Sequence, residues 1–289
     1  MKELSVIIPV YNEEKSIINV LSELLCILST LKLNCYEIIV INDGSTDNTV
    51  ELIKSSKLTN IKLISHPVNI GYGQAILTGI KNAQYNYIAT IDADGSYLAE
   101  DLARLCEEIG EFDLVIGARQ GKEFWGSLIK HPARLIFLWL AEFTVGQKIP
   151  DVNSGLRVFK KSSFERVSLP VLCRGFSFSS TMTLAFLAEG MFVKFVPIKY
   201  LPRKGKSKVN YIKDTLRTLQ ALVEVITFYN PLKIIVLLCV PSIILFIISI
   251  FLWVYTNSIF WINFGFISLY VTIIIFTLGL LIDMIRLKK

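Results

Sequence analysis

Leu4-Ser5-Val6-Ile7-Ile8-Pro9-Val10-Tyr11-Asn12-Glu13-Glu14 is a nearly unbroken apolar run that turns polar within a few residues. A run this short, closed by turn-forming residues, reads as a strand (residues 4–10) buried on both faces, as in a parallel sheet. Asn12 then stands where it can cap a helix whose apolar side is Ile17, Leu21, Leu24, Leu25 and Leu28. The same pattern recurs along the chain. Residues 37–41 read as a second buried strand, and Asp43-Gly44-Ser45 turns the chain into a helix with Ser45 or Thr46 as its cap. Residues 61–65, 87–91 and 114–116 read as further strands, separated by helices over 71–84 and 98–109. Strands alternating with helices imply an α/β fold, a mostly parallel sheet covered on both faces. Ligands of such sheets gather at the carboxyl ends of the strands.

Past Gly117 the alternation loosens. Residues 131–145 form a helix rich in large apolar side chains (Leu135, Ile136, Phe137, Leu138, Trp139), and 193–200 a strand. A basic loop at 202–210 leads into an amphipathic helix at 211–228. The 289 residues are 53% hydrophobic, above the roughly 45–50% usual in soluble domains. The excess lies in two almost uncharged runs, about 234–255 and 260–282. Each is long enough for the ~20-residue helix that crosses a bilayer, and lipid forces such runs to be helical. Pro241 is placed to kink the first, and the stub at Thr256, Asn257 and Ser258 makes the pair antiparallel. The expected division is a catalytic domain (1–210), a juxtamembrane helix (211–230) and a transmembrane hairpin (231–289).

Charge sets the expected orientation. Lys233 precedes the first span, Arg286, Lys288 and Lys289 follow the second, and the stub is uncharged, so the N-terminal domain and the C-terminus face the cytosol. The N-terminal apolar stretch is too short for a signal peptide. Five cysteines (Cys26, Cys35, Cys106, Cys173, Cys239) without a CxxC spacing argue for reduced thiols and no zinc site. A net charge of +6 suits a domain lying on anionic lipid, and no motif supports nucleic-acid binding. The lack of a GxGxxG after the first strand argues against a nicotinamide-dependent oxidoreductase. Nothing in the chain fixes an oligomeric state.

The chemistry-bearing residues cluster just after the strands: Pro9 to Glu13 after the first, Asp43 after the second, Asp92-Ala93-Asp94 after the fourth and Arg119 after the fifth. Two carboxylates one residue apart at a buried strand end repel each other and lose hydration. A divalent cation relieves both costs, and hard oxygen ligands select Mg²⁺ or Mn²⁺.

In order, Ile7-Ile8-Pro9-Val10-Tyr11-Asn12-Glu13-Glu14, Ile41-Asn42-Asp43-Gly44-Ser45-Thr46-Asp47, Asn69-Ile70-Gly71-Tyr72-Gly73-Gln74-Ala75, Asp92-Ala93-Asp94-Gly95, Ile116-Gly117-Ala118-Arg119 and Asn153-Ser154-Gly155-Leu156-Arg157 resemble the motif series of the A-type inverting glycosyltransferases of family 2. The resemblance covers about residues 4–230. It is closest to the polyprenyl-phosphate sugar synthases of the dolichol-phosphate mannose synthase type, some of which carry a membrane hairpin. It implies that Pro9, Tyr11, Glu13, Ile41 and Asp43 hold the nucleoside. It also implies that Asp92, Ala93 and Asp94 hold the sugar-nucleotide end and its metal, with Asp94 catalytic. Ser96 stands where the mannose-synthase type often has Gln, so a poorer hydroxyl ligand, or a water in its place, completes the metal set of Asp92, Asp94 and Ser96. Arg119, Arg134, Arg203 and Lys208 match basic positions around the transferring phosphates, and the same resemblance implies inversion at the anomeric carbon.

The acceptor decides what else is needed. A sugar hydroxyl requires a general base, for which Asp151 is the candidate unless it holds a cation such as Arg157. A lipid monophosphate, with a second pKa of about 6, is already an anion. It needs a metal on the donor side and Arg or Lys around itself, as in Arg203-Lys204-Gly205-Lys206-Ser207-Lys208. The expected reaction is transfer of a hexose from a GDP- or UDP-sugar to a polyprenyl or dolichyl phosphate at the cytosolic membrane face. The alternatives are a polysaccharide glycosyltransferase acting on a sugar hydroxyl, although the Gln-x-x-Arg-Trp of processive synthases is missing, and a non-catalytic membrane scaffold.

Overall fold

The computed structural model describes the chain except residues 122–130, 168–174, 176, 203–210 and 288–289, and the side chains of 131–134, 211–215 and 287. It divides into two compact units, Met1–Ala221 and Leu222–Lys289.

The first unit is built on a seven-stranded sheet of order β3-β2-β1-β4-β6-β5-β7. Its strands are β1 (Glu3–Val10), β2 (Cys35–Asn42), β3 (Ile61–Ser65), β4 (Tyr87–Thr90), β5 (Leu114–Gln120), β6 (Arg157–Lys160) and β7 (Val193–Lys199). The β1–β2, β2–β3, β1–β4 and β5–β7 pairs are parallel, as the alternation predicts. The exception is β6, which lies antiparallel between β4 and β5. It is four residues long and starts on a charged arginine, so it carries no periodicity by which a sequence reading would find it. Its reversal matters for function. The β4–β6 register pairs Thr90 with Arg157, so the residues before β6 come to lie beside those that follow β4.

Helices α1 (Ile17–Thr30), α2 (Thr49–Ser55), α3 (Tyr72–Asn82) and α4 (Ala99–Glu108) join the parallel strands. The apolar side of α1 is the expected one: Ile17, Val20, Leu21, Leu24 and Leu28 are buried in one core with Leu4, Val6, Ile8 and Val10 of β1. Two expected caps are corrected. Asn12 does not start α1; it sits in the left-handed region (φ 54°), and the helix begins after Ser16. Asn12 instead exchanges hydrogen bonds with Thr46, accepting from its backbone N–H (2.7 Å) and donating from Nδ2 to Oγ1 (3.3 Å). Ser45 and Thr46 do not cap α2, whose first turn follows Asn48. Ser45 Oγ accepts from the Asn12 N–H (2.9 Å), and Asp47 accepts from the Thr49 N–H (3.1 Å). Short polar side chains thus lace the loops after β1 and β2 together rather than ending helices, an alternative that Asn, Ser and Thr always offer a backbone.

Further along lie α5 (His131–Val145), α6 (Lys161–Phe164), α7 (Phe178–Ala188) and α8 (Tyr211–Tyr229). The boundary between the units falls within α8.

In the second unit, α9 (Pro231–Thr256) and α10 (Ile259–Leu287) pack against each other and contain the two apolar runs. Both are long and apolar enough to cross a membrane, and only 22% and 17% of their most apolar windows are buried, unlike soluble core helices. The helix continues through Pro241. A polar seam joins the pair: the Ser242 and Thr272 hydroxyls lie 2.6 Å apart, and Ser268 donates to the Ser242 carbonyl (2.5 Å). Gly265 and Gly279 leave room for Ser249 and Ile235 of the facing helix. Small residues and hydroxyls at the contact are what apolar helices use in lipid, where hydrophobicity gives no preference for a neighbouring helix.

Candidate active site

Because β1, β2 and β4 are parallel and β6 is reversed, the loops after Val10, Asn42 and Thr90 and the turn before Arg157 share one edge of the sheet. Most of the expected site residues stand there.

Asp43 is buried and its carboxylate is in use. Oδ1 accepts from the Ile70 N–H (3.0 Å) and lies 2.8 Å from His66 Nδ1, and Oδ2 accepts from the Gly71 N–H (2.9 Å). It therefore holds the loop between β3 and α3. Gly44, at φ 72°, leaves no room for a side chain, since a Cβ there would lie 2.5 Å from the Val68 carbonyl carbon. Tyr11 is half-buried, and the carboxylate of Glu13 accepts from the Ser16 hydroxyl (3.2 Å). Pro9 and Ile41 are register partners in β1 and β2, and Ile41 is fully buried, as is Ala93 beyond β4.

Asp92 and Asp94 occupy the loop after β4. Asp94 is 3% exposed, and its Oδ1 accepts from the Ser96 N–H (2.9 Å) and hydroxyl (2.5 Å). Ser96 therefore turns its hydroxyl proton toward Asp94. Asp92, half-buried, accepts from the Tyr72 hydroxyl at Oδ1 (3.1 Å). Burial, with the Asp92 charge added, holds the Tyr72 pKa well above its ordinary value, so this phenol stays protonated and donates. Gly155 lies against the Asp92 carboxylate: a Cβ built on it would fall 2.5 Å from Oδ2 and 2.6 Å from Oδ1. Gly155 is itself fixed, its N–H donating to the Tyr97 hydroxyl (2.8 Å) and its carbonyl accepting from Thr90 (2.8 Å). In the sequence Tyr72 and Gly155 stand only as members of motifs and Tyr97 in none; the contact of Gly155 with Asp92 and its bond to Tyr97 depend on the reversed β6. Gly155→Ala is expected to push the Asp92 carboxylate aside and, if Asp92 holds a metal, to lower turnover by about 10–100-fold, as loss of a ligand's support does. The melting temperature and the rate of the purified variant, measured together, separate this from misfolding.

Arg119 and Asp151 form a two-pronged ion pair, Nε to Oδ2 at 2.7 Å and Nη2 to Oδ1 at 3.0 Å, with the guanidinium 5.2 Å from the centre of the Tyr200 ring. Asp151 thus pairs directly with Arg119. Arg157, 2% exposed, donates instead to the carbonyls of Ser154 (2.7 Å) and Val152 (3.1 Å), and its Nη1 has no partner among the described residues. Burial lowers its pKa to about 10, leaving it charged at neutral pH. Its two bonds shape the turn that carries Gly155. Of the other cations expected at the phosphates, Arg203 and Lys208 lie outside the described residues, and Arg134 lies on α5 with its side chain outside them.

Among the described residues no group of three or more His, Cys, Asp or Glu side chains could hold a metal. The donor set at the sheet edge is a pair of carboxylates, Asp92 and Asp94. This suits Mg²⁺ or Mn²⁺ bound by one or two carboxylates and completed by substrate phosphates and water, and does not suit a structural zinc site.

The fold has close counterparts. Glucosyl-3-phosphoglycerate synthase from Mycobacterium tuberculosis, solved with phosphoglyceric acid, superposes with a TM-score of 0.64 at 16% identity, over 78% of this chain and 80% of that one. The same enzyme with Mn²⁺, uridine diphosphate and glucosyl-3-phosphoglycerate gives 0.62 at 17% identity, over 78% and 80%. At that identity the likeness is one of fold: the first unit is an A-type α/β glycosyltransferase domain. The profile of glycosyl transferase family 2 matches residues 5–168, and the chain belongs to that family. Among curated relatives, the low-salt glycan biosynthesis hexosyltransferase Agl6 of Haloferax volcanii is 30% identical over 220 residues, 74% of this chain and 51% of that protein. The undecaprenyl-phosphate 4-deoxy-4-formamido-L-arabinose transferase of Salmonella choleraesuis is 33% identical over 165 residues, 56% of this chain and 50% of the relative. The chain therefore matches about half the length of these relatives.

Proposed function

We propose that the protein transfers a hexose from a nucleotide-diphosphate sugar to a polyprenyl monophosphate, with inversion, at the cytosolic face of a membrane. The observation that carries this reading is the presence, in one family 2 chain, of a two-carboxylate loop at the sheet edge and a pair of bilayer-length helices. The Salmonella relative, named for undecaprenyl phosphate, supports the acceptor class. The positive charges at the outer ends of the hairpin support the orientation.

Asp92 and Asp94 would hold a divalent cation, which when bound neutralises charge on the donor diphosphate. Tyr72, Gly155 and Ser96 hold the two carboxylates in place. The loops laced together by Asn12, Ser45 and Thr46, with Asp43 beneath, form the nucleoside side. Arg203 and Lys208 draw the acceptor phosphate against the donor. A phosphate needs no base, and this agrees with the commitment of Asp151, the base a hydroxyl acceptor would use, to Arg119 through both oxygens.

The test is a panel of UDP- and GDP-hexoses offered to the purified protein in detergent with short polyprenyl phosphates, the lipid product read by mass spectrometry. One donor is expected to yield a lipid-linked hexose monophosphate of inverted anomeric configuration. Transfer only to sugar hydroxyls, or no turnover with any donor, overturns the proposal.

A further inference from the structure

Three consecutive residues touch both halves of the site. The N–H groups of Ile70 and Gly71 are held by the two oxygens of Asp43, and the hydroxyl of the next residue, Tyr72, donates to Asp92. Gly71 takes φ 104°, a left-handed conformation that favours glycine, and so turns the chain from the Asp43 grip into α3. The helix in turn is fixed against β1, with Gly79 in contact with Ile7. The phenol is therefore delivered to Asp92 from a backbone anchored at both ends. With Gly155 on its other side, Asp92 has its carboxylate pinned, although the terminal torsion of an aspartate is otherwise broad.

We propose that Tyr72 is a positioning residue for the metal-binding carboxylate, and that segment 70–72 links the Asp43 side of the site to the cation. The inference rests on the reading of Asp92 and Asp94 as cation ligands. A pinned carboxylate presents its remaining lone pairs at a fixed angle. A free one must be ordered by the cation, which weakens binding. A link through the backbone makes the effect mutual: whatever orders residues 70–71 favours the cation, and the cation favours that ordered loop.

Mn²⁺ binding to the full-length protein, measured by the loss of the free-ion electron paramagnetic resonance signal with and without uridine or guanosine diphosphate, tests this apart from turnover. In Tyr72→Phe the Mn²⁺ dissociation constant is expected to rise about 10–100-fold, while the melting temperature and nucleotide affinity in chelator stay within about twofold of wild type. The tightening of Mn²⁺ binding by nucleotide is expected to shrink in Tyr72→Phe. If wild type binds Mn²⁺ and Tyr72→Phe binds it equally well, the positioning role is overturned and the cation site stands. If wild type binds no Mn²⁺ with or without either nucleotide, the cation site itself is overturned, and the inference with it.

Discussion

Asp94→Ala is expected to reduce sugar transfer by about a thousandfold or more while leaving the fold intact. The carboxylate is almost fully buried, and its Oδ1 is oriented by both the N–H and the hydroxyl of Ser96. A buried charge held in this way beside a second carboxylate is costly unless a cation shares it. If Asp94 is the proposed ligand to a cation on the donor diphosphate, its loss raises the barrier by about 4 kcal/mol, at ~1.4 kcal/mol per decade of rate. Initial rates on the matched donor and lipid, with circular dichroism as the control for folding, check this. Retention of more than about a tenth of the wild-type rate refutes the assignment. Excess Mn²⁺ is not expected to rescue the variant, because the missing group is the ligand and not the ion.

The second large effect concerns the acceptor. Replacing Arg203 and Lys208 together by Ala is expected to depress transfer to polyprenyl phosphate far more than hydrolysis of the donor by water. Both reactions use the same donor site, but only transfer brings a second anion against the first. Losing two charge-assisted contacts at up to about 3 kcal/mol each corresponds to roughly 3–6 kcal/mol. Both rates are to be measured in detergent with a short-chain acceptor. Equal losses in the two reactions place these residues at the donor. Full activity on the solubilised acceptor reduces them to charges that attract the domain to anionic lipid, worth about 1 kcal/mol apiece.

The parallel half of the sheet was legible because each of its strands is a short apolar run closed by a polar turn, and each following helix keeps one apolar side. Residues 61–65 and 131–145 match their elements to the residue. The two bilayer-length helices were legible from composition alone. Three kinds of feature were not. Caps failed at Asn12, Ser45 and Thr46 because short polar side chains can bond across to another loop as readily as to their own helix. The strand Arg157–Lys160 is too short to show a period, and its direction is a property of the assembled sheet. That Asp151 holds a cation was an open alternative in the sequence, but which one was not legible, because Arg119 and Arg157 are equally plausible partners along the chain. Only the sheet brings Arg119 within 2.7 Å of that carboxylate, while Arg157 donates from Nε and Nη2 to backbone carbonyls. The Asp92–Asp94 loop was found because its two carboxylates are neighbours in sequence. The groups that pin Asp92, Tyr72 and Gly155, were found only in three dimensions.

The reversed strand also bears on how the protein acquires its activity. Asp92 and Gly155 meet only when β4 and β6 pair, a long-range closure across everything between them in the chain. Pairings of that kind cost loop entropy before they return any contact, and they form slowly. The parallel strands β1, β2 and β3 can zip from nearer neighbours without any part of this junction. On the proposed reading of the site, newly made chains are expected to gain the loops of the nucleoside side before Gly155 closes on Asp92. A ligand that requires both carboxylates binds the finished fold and none of its precursors, so it raises apparent stability in proportion to its concentration over its dissociation constant.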